Sequence, residues 1–146
     1  MSEQSIIDAA KAPIVAYGNK DWNAVRASVA PDYLYDEVAT QRRVRGCDPV
    51  IAVWQGWATA FPDSKASFER AAATGNTAVI ELTWRGTHRG PLVTADGTIA
   101  PTGKPIEIRA CLITEVADCK ARTTTQYFDL ATMMQQLGVS RSAAAR

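Results

Sequence analysis

Thr123-Thr124-Thr125-Gln126-Tyr127-Phe128-Asp129, followed by Leu130-Ala131-Thr132-Met133-Met134, reads as a strand that runs straight into a helix. Threonines and aromatic residues favour the pleated backbone, whereas Leu, Ala and Met favour the helical one. Alternate side chains of a strand point to opposite faces, so Thr123, Thr125, Tyr127 and Asp129 share one face, and Thr124, Gln126 and Phe128 share the other. A carboxylate therefore ends a semi-polar row. Placed in a closed apolar cavity, it would find its charged form disfavoured and its pKa raised, which suits proton transfer near neutral pH. Asp129 is thus a candidate acid/base. It is also well placed as an N-cap, its oxygen accepting the free amides of the first helical turn. Both roles stand at this point.

Working upstream, the period of two persists. Ile106 to Val116 reads as a strand that Asp118-Cys119 turns back into Arg122 to Asp129, and Ala66 to Ala73 turns at Gly75-Asn76 into Thr77 to His88. On that last strand Ala78, Ile80, Leu82, Trp84, Gly86 and His88 lie on one side, so His88 ends an apolar row. The Gly/Pro/Thr-rich segment from Gly90 to Pro105 is long enough to be a working loop.

Before residue 62 the period is helical. Ile6, Ile7, Ala10, Ile14 and Tyr17 mark a first helix that Gly18-Asn19 stops, with Pro13 predicting a kink or break. Asp21-Trp22-Asn23 opens a second helix through about Val29, and Tyr33 to Asp36 reads as a short strand. Asp48-Pro49 predicts a helix start, N-cap followed by proline at the first position, with Val50, Val53, Trp54 and Trp57 on one face to about Phe61. Gln41-Arg42-Arg43-Val44-Arg45 reads as a solvated loop. Helices followed by a long meander predict an α+β domain over 1–139, a curved antiparallel sheet wrapped around N-terminal helices. Residues 140–146, small and polar, read as a disordered tail.

Composition narrows the function classes. The chain has 146 residues, 47% of them hydrophobic, enough for one domain with a substantial core. Sixteen basic residues balance fifteen acidic ones, a net charge of +1 that argues against nucleic acid as a partner. Cys47, Cys111 and Cys119 are widely spaced and His88 is the sole histidine, a pattern that fits neither a disulfide framework nor a zinc site. Residues 1–5 lack a signal-peptide pattern and no stretch is long enough to span a membrane, so the expectation is a cytoplasmic protein without membrane contact.

The concave face of such a sheet is the natural ligand site. Asp129 and His88 are expected to meet at one end of it, with Tyr17, Trp54, Trp57, Trp84 and Tyr127 as aromatic walls. Arg109 is either a solvated strand residue or a partner that keeps Asp129 ionised. The strand at Ile106 to Val116 is apolar on both faces, with Ile106, Ile108 and Leu112 on one and Cys111 and Ile113 on the other. That predicts a homodimer through the outer face.

Phe61-Pro62-Asp63, Gly86-Thr87-His88-Arg89-Gly90-Pro91-Leu92, Pro101-Thr102-Gly103-Lys104 and Tyr127-Phe128-Asp129-Leu130 with Gln136-Leu137-Gly138 together resemble the SnoaL-like polyketide cyclase family of the nuclear-transport-factor-two-like superfamily. The resemblance spans nearly the whole chain and implies an α+β cone with a deep apolar pocket. It also implies intramolecular aldol closure of a hydrophobic, polycyclic or polyketide substrate without metal or cofactor, with Asp129 as the acid/base and His88 matching the family histidine. In such a substrate a methylene between two carbonyls gives a delocalised carbanion, so one positioned carboxylate suffices. Ketosteroid-type isomerisation, epoxide hydrolysis (for which only Asp129 with Arg109 offers a water-holding set) and a non-catalytic binding module are the alternatives.

Overall fold

Strict alternation governs the longest strand. Ile106, Ile108, Ala110, Leu112, Thr114 and Val116 are buried, while Glu107, Arg109, Ile113 and Glu115 between them are exposed. One face of the sheet is therefore core and the other is surface. In the computed structural model, which describes residues 1–139, that strand is β7 (Pro105–Ala117). The preceding elements are α1 (Glu3–Gly18), α2 (Trp22–Ser28), β1 (Val29–Glu37), a 3-10 turn (Val38–Thr40), β2 (Arg42–Arg45), α3 (Cys47–Ala60), β3 (Lys65–Thr74), β4 (Thr77–Thr87), β5 (Leu92–Thr94) and β6 (Gly97–Ile99). After β7 come β8 (Lys120–Phe128) and α4 (Leu130–Gln136).

Six strands form one sheet in the order β2-β1-β8-β7-β4-β3, and β5 and β6 form a separate hairpin. All neighbours are antiparallel except β1 and β8, which run parallel with Tyr35 opposite Thr124 and Glu37 opposite Gln126. The sheet is therefore mixed, not the antiparallel meander expected. The pairing that makes it so joins residues about ninety positions apart, a separation no local pattern reports.

α1 crosses the inner face, where Ile6, Ala10 and Ile14 pack on Ala78, Ile80, Leu82 and Leu112. Each isoleucine or leucine among them contributes roughly 1.5–3 kcal/mol by leaving water. Pro13 does not break this helix; it is buried inside it. α3 begins two residues earlier than expected. Gly46 is its N-cap at φ 101°, and Asp48 sits in the first turn as an exposed ion-pair partner of Arg26. The expected loop at residues 41–45 is instead the edge strand β2, and the long segment after His88 contains the β5–β6 hairpin. Asp118 and Cys119, at φ 51° and 62°, make the tight turn between β7 and β8. The tail at 140–146 lies outside the described residues.

Candidate functional site

Tyr33, Tyr35 and Glu37 alternate along β1 and all point inward. Trp54, from the inner face of α3, receives three rings at near-perpendicular angles: Tyr17 at 6.1 Å, Tyr33 at 6.2 Å and Tyr35 at 5.5 Å between centroids. Edge-to-face pairs of this kind add roughly 0.5–1.5 kcal/mol each beyond burial. They hold apart the walls of a cavity of about 80 Å³, lined chiefly by aromatic and aliphatic side chains from α1, α3, β1, β4, β7 and β8.

Two polar clusters break this apolar lining. The larger is centred on Glu37, whose side chain is 0% exposed. Its Oε2 accepts from Tyr35 Oη at 2.6 Å and Trp57 Nε1 at 2.9 Å, and its Oε1 accepts from Thr40 Oγ1 at 2.6 Å and from Arg42 Nη2 and Nε at 2.7 and 3.2 Å. Every site on the carboxylate is satisfied, as burial of a charge demands. The network continues across the cavity: Gln126 Nε2 donates to Tyr35 Oη at 2.7 Å, and Trp84 Nε1 donates to Gln126 Oε1 at 2.7 Å. Tyr35 and Gln126 line the cavity, so the phenol connects Glu37 to it. Burial, the neighbouring Glu37 charge and the bond donated to it push the Tyr35 phenol well above its ordinary pKa.

The second cluster lies where α1 meets the turn after α3. Tyr17 Oη and Ser64 Oγ are 2.6 Å apart, and both residues line the cavity. Lys20 Nζ donates to Ser64 O at 2.5 Å and to Ser64 Oγ at 3.3 Å while lying 4.2 Å above the Tyr17 ring. Burial pushes Tyr17 up to about 12 and Lys20 down to about 8. Gly86 on β4 lets this turn sit against the sheet, since a Cβ there would come within 3.1 Å of Ser64 Cα.

The residues expected to form the site divide sharply. Tyr17, Trp54, Trp57 and Trp84 line the cavity. Tyr127, 47% exposed, and Arg109, also exposed, are on the outer face of the sheet, a correction to their placement as pocket residues. Asp129 is exposed as well: its Oδ1 and Oδ2 accept from Thr132 N at 3.2 Å and Thr132 Oγ1 at 2.8 Å, so it caps α4. The bonds from Thr132 hold its pKa below the usual carboxylate value, reversing the expected rise. Asp129 and Arg109 therefore supply no water-holding pair within the cavity.

His88 is 0% exposed but belongs to a neighbouring cluster. Its ring lies 5.3 Å from Phe61, Nδ1 accepts from Thr102 N at 3.2 Å and lies 3.0 Å from Thr102 Oγ1, and its backbone bonds Lys104 and Gly103. It pins the segment before β7 and does not line the cavity. Burial lowers its pKa, favouring the neutral ring.

For Tyr127 and Asp129 the error has one physical source. β8 buries Thr124 and Gln126 and turns Tyr127 and Asp129 outward, so the row that faces the cavity is the opposite of the one singled out. Glu37 was missed altogether, although the alternation Tyr33, Tyr35, Glu37 ends an aromatic row in a carboxylate, the same signal that drew attention to Asp129.

Among the described residues no three His, Cys, Asp or Glu side chains gather as a metal site, and no helix is long and apolar enough to cross a membrane. The fold recurs in solved structures. A candidate SnoaL-like polyketide cyclase from Jannaschia sp. CCS1 superposes with a TM-score of 0.83 at 16% identity, covering 94% of each chain. IdmH, a candidate polyketide cyclase from Streptomyces antibioticus, gives 0.77 at 26% identity over 92% of this chain and 99% of its own. An epoxide hydrolase of M. tuberculosis, described as LEH-like, gives 0.71 at 21% identity over 92% and 90%. No curated protein matches the chain. The profile of one family, described as SnoaL-like polyketide cyclase, matches residues 8–137, a span that takes in most of α1, the aromatic cavity and the β8–α4 junction. This chain belongs to the SnoaL-like polyketide cyclase family.

Proposed function

We propose that the protein is a cofactor-free, cyclase-like enzyme that closes a ring in a hydrophobic polyketone by intramolecular aldol addition, with Tyr35 and Glu37 as its proton acceptor. The observation that carries this reading is a fully buried carboxylate reaching an apolar, aromatic cavity through a single phenol. A methylene between two carbonyls gives up its proton to Tyr35 Oη as the phenol proton passes to Glu37 Oε2, over the 2.6 Å bond already in place. The resulting carbanion adds to a second carbonyl of the same chain and the alkoxide formed there takes up a proton, while the proton held on Glu37 passes back through Tyr35 to water as the product leaves the cavity, so the protein ends in its starting state. The apolar walls fold the substrate so that the two carbons meet, the entropic part of the barrier. Gln126, with one amide hydrogen beyond the bond to Tyr35, is placed to polarise a carbonyl oxygen.

Asp129 has no part in this step, because it is an exposed cap. The test is turnover of a 1,3-polyketone that cyclises to an aromatic product. Tyr35→Phe and Glu37→Gln are each expected to lower kcat by roughly 10²-fold or more, the usual contribution of a positioned acid/base. Asp129→Asn is expected to stay within about twofold of the parent, since it retains the cap and leaves the cavity untouched. The reverse pattern, with Asp129→Asn inactive and Tyr35→Phe active, overturns the assignment.

A further inference from the structure

The geometry points to a second catalytic element that the cyclase reading does not use: Lys20, Ser64 and Tyr17 form a proton-delivery chain from solvent to the cavity, and the Tyr17 hydroxyl donates to the oxygen of a bound ketone. This rests on the ketone-cyclase reading for its place in a reaction, but the bond it predicts is measurable without turnover.

The direction of the chain follows from donor inventory. Lys20 has three N–H donors and no acceptor, and one of them reaches Ser64 Oγ at 3.3 Å while another holds Ser64 O at 2.5 Å. Ser64 Oγ, accepting from the ammonium, is free to donate its own hydrogen to Tyr17 Oη at 2.6 Å. Tyr17 then has its phenolic hydrogen left for the cavity it lines. Hydrogen bonds aligned head to tail polarise one another, and a charged donor at the head strengthens every later link. When an alkoxide forms beside Tyr17, it takes the phenol proton, Tyr17 takes that of Ser64, Ser64 takes that of Lys20, and the half-buried lysine recovers one from water. Each group ends with the proton count it began with.

The surroundings suit this role. Lys20 is brought beneath the turn by a left-handed backbone at φ 53°, with its amide donating to Tyr17 O at 2.8 Å. The titratable groups that face Lys20 are Tyr17 on α1, Asp63 in the turn after α3 and Lys65 at the start of β3. Asp63 favours the ammonium, Lys65 opposes it, and burial outweighs both, which brings the Lys20 pKa down to about 8, so the group is charged at pH 7 yet able to exchange protons under mild conditions. Tyr17, pushed up to about 12, remains a phenol throughout that range and so is a donor rather than a base.

The experiment uses acetophenone, a single-ring ketone, and reads its carbonyl stretch by infrared difference spectroscopy when bound to the protein. At pH 7 the parent is expected to lower the carbonyl frequency relative to the same ketone in hexane. Tyr17→Phe should abolish that displacement, and Ser64→Ala and Lys20→Met should each at least halve it. The parent displacement should shrink from pH 7 to pH 9 as Lys20 loses its charge, whereas Lys20→Arg, which keeps the cation, should hold it constant. If Tyr17→Phe loosens the packing around Trp54, Ser64→Ala leaves the ring in place and carries the same test. A displacement unchanged in Tyr17→Phe, or unchanged in both Ser64→Ala and Lys20→Met, overturns the inference, as does a parent protein that leaves the carbonyl frequency unmoved. If the infrared pattern holds while no polyketone is turned over, the cyclase reading fails and the donor chain stands.

Discussion

Replacing Arg42 by methionine isolates the energetics of the buried carboxylate. Of the five hydrogen bonds on Glu37, two come from Arg42 and one each from Tyr35, Thr40 and Trp57. Methionine keeps much of the aliphatic stem that covers Trp57, whose ring lies 5.8 Å from the guanidinium, but removes both donors and the counter-charge. Breaking a buried ion pair on one side costs about 3–5 kcal/mol. The Arg42 side chain is 40% exposed, so water enters the vacated space and the cost falls below that range, to about 2–3 kcal/mol. At roughly 2.1 cal/mol/K per residue, a domain of this length has an unfolding entropy of about 0.3 kcal/mol/K, which converts that loss into a Tm lower by about 7–10 °C. Thermal unfolding followed by circular dichroism reads it directly. In a Glu37→Gln background the same Arg42→Met change is expected to cost about 1 kcal/mol or less, because no buried charge is left uncompensated. Equal costs in both backgrounds, or a Tm within 2 °C of the parent (roughly 0.6 kcal/mol), would refute the reasoning.

Three further outcomes follow from the same geometry. His88 has a folded pKa lowered beneath its unfolded value, so the unfolded chain binds the proton first, and its share of stability is present above about pH 6.5 and lost as pH falls through the folded pKa; His88→Gln should flatten the Tm profile between pH 7 and pH 5 relative to the parent. Gly86→Ala forces a Cβ to within 3.1 Å of Ser64 Cα, so it should displace Ser64 from Tyr17 and lower kcat while the aromatic cavity still quenches tryptophan fluorescence on ketone binding; unaltered kcat would show that the close approach is dispensable. Dialysis against a chelator should leave turnover unchanged, and metal-dependent turnover would send the assignment back to the isomerase or hydrolase alternatives.

Helix periodicity, strand alternation and turn residues were enough to place the helices, most of the strands and the inward rows of β4 and β7, because those signals are local and each residue reports its own burial. The family motifs lie in the same segments, so the α+β cone and the aromatic walls Tyr17, Trp54, Trp57 and Trp84 were legible too. The polar floor of the cavity was not. A strand's alternation says which residues share a face but never which face is inside, and for β8 that choice is made by β1 and β7 on either side, through Glu37 opposite Gln126 and the 2.9 Å bond between Thr114 and Thr124. Slipping that choice by one residue exchanged Gln126 for Asp129. Likewise, Arg42 looked like one charge in a solvated run until the β1–β2 register set it opposite Glu37. Ser64 and Lys20, forty-four positions apart, acquire meaning only where α1 and the turn after α3 pack against the same sheet. Local chemistry thus determined the elements and the apolar lining, while tertiary pairing alone decided which polar groups the lining encloses, since a buried polar atom is defined by partners that the chain brings from far away.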